Sequence, residues 1–294
     1  MSPILRARTA AVAGVLACLA AFLAMGAPRA ADRLKEATVG KPWVVYYKDK
    51  APIEAFDPYG ILVLDSHYHP PLRPLSERGK VLLGYISLGE VENHRPWYSR
   101  VRRWGILKDE NPNWKGSYYV DLRDPRWTSL VVEELIPAIL RKGFDGLFFD
   151  TLDNPVYLEE GAPQKWKGST EAAARLVKAI RRHYPDIPLM LNRAYALLPA
   201  VEGDIDMVLG ESVFVEYDFE KKRPRMTETK LYREQVKLLQ DAKRRQPKLR
   251  IMTLDYWDPA DAEGMRRIYR EQRANGFEPY VSTVELDRVV PEPK

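Results

Sequence analysis

The sequence predicts an α/β chain folded as one TIM-type (β/α)8 barrel, and three observations carry that expectation. Eight short runs rich in β-branched and aromatic residues follow one another, nearly continuous in apolar residues and without alternation, as strands buried on both faces require. Helical segments lie between most of them, and the whole occupies roughly 250 residues. The first run is followed by Lys48, Asp49 and Lys50, and no GxGxxG occurs, so the phosphate turn of an open doubly wound sheet is missing.

The elements follow in chain order. Residues 1–30 read as a signal peptide: Arg6 and Arg8 precede an apolar stretch from Thr9 to Met25, and small residues Gly26, Ala27, Ala30 and Ala31 follow. Cleavage fits after Gly26 or after Ala30. The alternative is an uncleaved anchor, because the stretch approaches the ~18 to 20 apolar residues that a span requires. With the signal peptide, the mature protein is expected in the periplasm or outside the cell. The strands are read at Trp43–Tyr47, Ile61–Asp65, Val81–Ser87, Gly146–Asp150, Pro188–Asn192, Met207–Glu211, Ile251–Tyr256 and Glu278–Thr283, inside a domain spanning 41–287. After strand 3 a long connection, Leu88 to Arg123, contains a further strand-like run, Ser117–Leu122, and is read as an insertion folding over the barrel mouth. Asp124 and Pro125 open a helix that closes at Gly143, with Pro137 expected to kink it. Thr170–His183 and Thr229–Gln246 follow, the latter with Leu231, Leu238, Leu239 and Ala242 as its apolar positions. Asp258 and Pro259 open the last helix, which closes near Gly276. Residues 288–294 read as a frayed tail.

Composition excludes several classes. Cys18 is the only cysteine and leaves with the leader, so stability rests on a core and not on disulfides. Losing Arg6, Arg8 and Arg29 leaves 43 of 46 basic residues against 41 acids, a net charge of +2 in place of +5. The remaining lysines and arginines sit on helices such as Lys237 to Lys248, as on a solvated outer face, and no nucleic-acid partner is expected. No second domain or repeat is visible, and the protein is expected to be a monomer.

The strand ends carry the chemistry. Asp65 ends strand 2, Glu90 follows strand 3, Asp150 ends strand 4, Asn192 ends strand 5, Glu211 ends strand 6, and Asp255 with Tyr256 ends strand 7. In a barrel these positions meet at one face. Converging acids repel and are costly to bury, so a set of this kind points to function. Two carboxyl groups flanking a bond are what glycoside hydrolysis needs, and Asp150 with Glu211 span part of the mouth. The structural alternatives are a helix cap for Asp150 and an ion pair with Arg193 for Glu211.

The blocks around these acids resemble a family. GYISLGEVENHR (Gly84 to Arg95), GFDGLFFDTLD (Gly143 to Asp153), the LNR of Leu191 to Arg193 and the GES of Gly210 to Ser212 are similar to the endo-α-1,4-galactosaminidases of glycoside hydrolase family 114 and the related hydrolase domain acting on the Pel exopolysaccharide. The resemblance runs from Lys41 to about Asp287. It implies Asp150 as nucleophile and Glu211 as general acid/base of a retaining mechanism, with Asp65, Tyr85, Ser87, Glu90, Asn192 and Tyr256 lining the cleft. Asn154-Pro155 and the NRAYALLP run depart from the family pattern and bear on subsites. Asp65, Glu90, Asp153 and Asp255 would draw a cationic, partly de-N-acetylated aminosugar polysaccharide to the mouth. Trp97, Trp104, Trp114, Tyr118 and Tyr119 in the insertion are candidates for stacking on sugars. Glu211, as the acid, is expected to have the more raised pKa. No cofactor is expected.

Two rival readings remain. His67 and His69 form an HxH after strand 2 that, with Asp65, would serve a metal-dependent hydrolase, although only His94 and His183 remain to complete a ligand shell. The other is a polysaccharide-binding barrel without turnover.

Overall fold

The computed structural model describes Leu34 and residues 40–294; the predicted leader lies outside the described residues. Thirteen strands are defined among them: β1 (Trp43–Tyr46), β2 (Ile61–Leu64), β3 (Val81–Ser87), β4 (Glu90–Glu92), β5 (Leu107–Glu110), β6 (Ser117–Val120), β7 (Gly146–Asp150), β8 (Leu189–Asn192), β9 (Met207–Glu211), β10 (Val215–Asp218), β11 (Arg223–Met226), β12 (Arg250–Tyr256) and β13 (Glu278–Ser282). Eight of them form a parallel sheet in the order β1-β2-β3-β7-β8-β9-β12-β13. These are the eight predicted runs, each within a residue or so of its expected bounds.

The sheet curls until its two ends meet. Trp43 Nε1 donates to Glu278 O at 2.9 Å, joining β1 to β13, and the Trp43 and Tyr280 rings stand 5.8 Å apart behind that bond. Past the strand ends, Tyr47 N donates to Leu286 O. The result is a barrel whose strands are buried almost throughout, as their unbroken apolar runs require.

Helices cover the outside. Asp124 caps Pro125–Leu130 by accepting from Arg126 N. Pro137 does not end this helix: the chain passes through a π turn at Val131–Leu135 and continues as Ile136–Arg141. A proline lacks the N–H and crowds the carbonyl four residues back, and the wider turn relieves both. The last helix, Ala262–Ala274, is capped by Asp261 through Gly264 N; Asp258, the expected cap, instead holds the preceding turn through Ala260 N. In Thr229–Arg245 the buried face is Gln235, Leu239 and Ala242, whereas Leu231 and Leu238 point to solvent.

Two excursions leave the carboxyl end of the barrel. The connection after β3 folds into an antiparallel sheet of order β4-β6-β5. The chain after β9 forms the hairpin β10–β11, with Val215 opposite Met226 and Asp218 opposite Arg223. That hairpin escapes a search for apolar runs because β11 reads Arg-Pro-Arg-Met.

Candidate active site

Strand alternation decides which side chains enter the mouth. Paired positions on neighbouring strands share a face, so Ser87 matches Asp150, Asn192 matches Leu209 and Glu211 matches Leu254. Tyr85, Asp150, Asn192, Glu211 and Tyr256 all face inward by this rule. Asn192 joins the two acids: its Nδ2 donates to Asp150 Oδ1 at 2.9 Å and to Glu211 Oε2 at 2.7 Å. An amide that gives one N–H to each acceptor, about 120° apart, sets those oxygens roughly 5 Å from one another. Turning the amide over would press its oxygen against both carboxyls. Its Oδ1 points instead into the protein, buried and without a partner among the described residues.

Each acid has a second support. The Tyr256 hydroxyl donates to Glu211 Oε1 at 2.5 Å, and the Tyr85 hydroxyl bonds Asp150. The Asp150 carboxyl is pushed up to about 7, first by burial and then by the charge of Glu211, against the downward pull of Asn192 and Tyr85. The raised acid was expected at position 211, so this assignment is corrected. The cause is desolvation beside a like charge: Asp150 sits between Tyr85 and Asn192, facing Glu211.

The backbone around the acids is strained. Thr151, Arg193 and Ser212, the residues just after Asp150, Asn192 and Glu211, all have left-handed φ angles of 65°, 50° and 60°. Non-glycine residues there cost of order 1–3 kcal/mol each, and a β-branched threonine is especially disfavoured. Surrounding bonds hold the first of them. Thr151 Oγ1 contacts Ser87 Oγ at 2.9 Å and accepts from Gly89 N at 2.8 Å. A Cβ at residue 89 would stand 2.1 Å from the Thr151 carbonyl oxygen, so only glycine fits.

The remaining predicted residues divide. Asp153 stays at the mouth, 3.8 Å from Arg193 Nε, with its pKa raised by burial and lowered in part by that cation. Asp65 lies at the rim, where Oδ1 accepts from His67 N and Tyr68 N and Oδ2 is 3.8 Å from Arg95. Ser87 faces inward, but its hydroxyl is committed to Glu90 O and Thr151. Glu90 is corrected from a cleft residue to a buried clamp of the insertion, bonded to Asn111, Ser117 and Asn154. Asp255 is corrected too. It is fully buried and turned outward, holding Phe214 N, Val215 N and Gln272 Nε2. Its neighbour Tyr256 faces the mouth, and successive residues of a strand cannot both do so.

Three groups at the mouth were not expected there. Tyr47 sits among Asp150, Glu211 and Asp65, and burial followed by those charges drives its hydroxyl pKa far up. Tyr195 is half-buried close to Arg193 and Glu211, with its hydroxyl donating to Gln235 Oε1. Arg95 reaches from the insertion to His67 Nδ1 at 2.8 Å. The strand-end rule applied to the first strand would have found Tyr47; Arg95 and Tyr195 lie inside the GYISLGEVENHR block and the NRAYALLP run, where no side chain at either position was singled out.

The histidines do not converge as metal ligands. His67 faces the Arg95 guanidinium, and its pKa is lowered to about 4 by burial, Arg95 and Lys142, a setting that repels a cation. His69 turns away, with Nδ1 on Pro70 O and its ring 5.2 Å from Phe144.

Comparison with known proteins places this geometry. Residues 26–294 match the model of glycoside-hydrolase family GH114. The chain belongs to that family. The structure is similar to the glycoside hydrolase domain of PelA from Pseudomonas aeruginosa, with a TM-score of 0.75 and 24% identity over 85% of this chain and 98% of that one. It is also similar to Ega3 of Aspergillus fumigatus in complex with galactosamine, with a TM-score of 0.62 and 14% identity over 85% and 94% of the two chains. Among sequences, an uncharacterized protein of Thermotoga maritima is 24% identical over 84% of this chain and 82% of its own length. Uncharacterized protein MJ1477 of Methanocaldococcus jannaschii is 34% identical over 94 residues, and the match spans about a quarter, 26%, of that relative.

Proposed function

We propose that the protein is an exported glycoside hydrolase that cleaves α-1,4 linkages in a galactosamine-containing, partly de-N-acetylated exopolysaccharide, with retention of configuration. The observation that carries this reading is that one Asn192 amide donates to Asp150 Oδ1 at 2.9 Å and to Glu211 Oε2 at 2.7 Å, a close pairing that favours the ~5–5.5 Å arrangement of retaining enzymes over the ~6.5–9.5 Å that leaves room for an inverting water. The family, and the galactosamine held by the similar Ega3, support the substrate class. Export is supported by the sequence of residues 1–30.

In the first step the Asp150 carboxylate attacks the anomeric carbon, the glycosidic C–O bond breaks, and Glu211 gives its proton to the leaving oxygen. In the second, Glu211 takes a proton from water, the water oxygen bonds the anomeric carbon, and the ester to Asp150 breaks. Without substrate the proton retained near neutrality sits on Asp150. A cationic sugar beside Asp150 favours its carboxylate, the form that attacks the anomeric carbon. Asp65, Asp150, Asp153 and Glu211 stand at the mouth, with Arg95 beside Asp65 and Arg193 beside Asp153.

Acetylated and de-N-acetylated galactosamine polymers, incubated with the mature protein and read by mass spectrometry, test the reading. Oligosaccharides from the de-N-acetylated polymer are expected, with Asp150→Asn and Glu211→Gln slower by several orders of magnitude. No product from either polymer would overturn the substrate class, and two variants as active as wild type would overturn the pair.

A further inference from the structure

Among the described residues, the aromatic side chains left most exposed are Tyr68, Trp114, Tyr157 and Phe219, at 52–67% of their full surface. All four stand on segments that leave the carboxyl end of the barrel: after β2, within the insertion after β3, after β7, and in the turn of the hairpin after β9. Tyr157 is on the short helix Asn154–Gly161; among the described residues, no other helix carries an aromatic side chain exposed to this degree. Large apolar surface is gathered around the one face that holds the acids.

Two of the four meet. The Trp114 and Phe219 rings are 5.7 Å apart and nearly edge-to-face, and Phe219 is 5.2 Å from Tyr217. Their segments spring from β3 and β9, which are separated in the barrel by β7 and β8. The contact therefore spans the sector of the mouth between β3 and β9, whose intervening strands end in Asp150 and Asn192. Trp114 and Phe219 remain 55% and 52% exposed despite touching. A contact serving only to pin two loops would bury more of both rings. The charges nearby are mixed, Glu110 and Lys115 on one turn and Asp218 and Lys221 on the other, so ring faces and not a field define the surface.

We propose that Trp114 and Phe219 form a distal sugar-binding platform that holds an extended chain where it leaves the catalytic pair, making the enzyme selective for polymer over short oligosaccharides. This rests on the proposed glycoside hydrolase reading. Sugar rings present apolar C–H faces that stack on aromatic rings, and a bridge lying off the acids is reached only by a substrate several units long. Tyr157, on the segment after β7, extends the same surface.

The test compares wild type with Trp114→Ala, Phe219→Ala and Trp114→Tyr on de-N-acetylated galactosamine polymer and on its di- and trisaccharides. Both alanine variants are expected to lose about tenfold in kcat/KM on polymer, mostly through KM, with short substrates unaffected and Trp114→Tyr close to wild type. Affinity of the Glu211→Gln background for the polymer should fall by the same factor. Equal losses on long and short substrates, no loss on polymer, or a change of oligomeric state on ultracentrifugation with polymer kinetics intact, would overturn the platform. Failure of wild type to cleave or bind any of these substrates would instead overturn the hydrolase reading beneath it.

Discussion

Replacing Asp150 by asparagine should stabilise the protein above neutral pH while abolishing its activity. The carboxyl is pushed up to about 7 in the fold, against its ordinary value of 3.8 when the chain is unfolded. Between those values the folded state keeps a proton that the unfolded chain has released. The stability associated with the site is full below pH ~4 and is lost as pH rises through 7. At ~1.4 kcal/mol per unit the whole shift corresponds to about 4 kcal/mol. The carboxyl retains a partly open surface at the mouth, so solvent screens it and about 2 kcal/mol is the better figure. Asparagine keeps the oxygen that accepts from Asn192 and sheds the charge that opposes Glu211. Thermal unfolding of wild type and Asp150→Asn from pH 4 to 9 should give coincident midpoints at pH 4 and a gap of about 5 °C in favour of the variant at pH 8. A gap that is absent at pH 8, or larger in acid than in base, would refute the enclosure of Asp150 and the like-charge account of the pair.

The other predictions concern the groups around that pair. Asn192→Ala removes the donor shared by both acids and should lower kcat by about a hundredfold with little change in KM; a KM effect alone would make Asn192 a substrate contact and not a spacer of the acids. Asp255→Ala should cost about 3 kcal/mol in denaturant unfolding, because two backbone N–H groups and Gln272 lose a buried partner, while the folded fraction keeps its activity; full stability with lost activity would return Asp255 to the cleft. A chelator should leave the rate unchanged, since His67 is held by Arg95 and His69 faces Phe144; loss of activity restored by zinc would revive the metal reading.

The barrel was legible in the sequence because its strands are buried on both faces and written as unbroken apolar runs. The two acids that Asn192 joins were legible for the same reason, each closing such a run. Asp255 misled because it and Tyr256 are adjacent: strand-end counting accepts both, whereas the period of two admits one, and only the register of β12 against β9 says which. Glu90 misled because its partners, Asn111, Ser117 and Asn154, lie 21 to 64 residues away and mark no local pattern. The Trp114–Phe219 bridge was half legible. Trp114 stood out in the insertion, but Phe219 sits in a charged hairpin whose strands carry no apolar signature, and the contact joins segments that spring from strands with two others between them.

The most direct measurement is the anomeric configuration of the first-formed product from a de-N-acetylated galactosamine oligosaccharide, followed by proton NMR before mutarotation. Asp150 and Glu211 held close together by Asn192 predict the α-anomer first, by double displacement through an ester on Asp150. Initial release of the β-anomer would mean single displacement by water and would contradict the pairing at the centre of this structure.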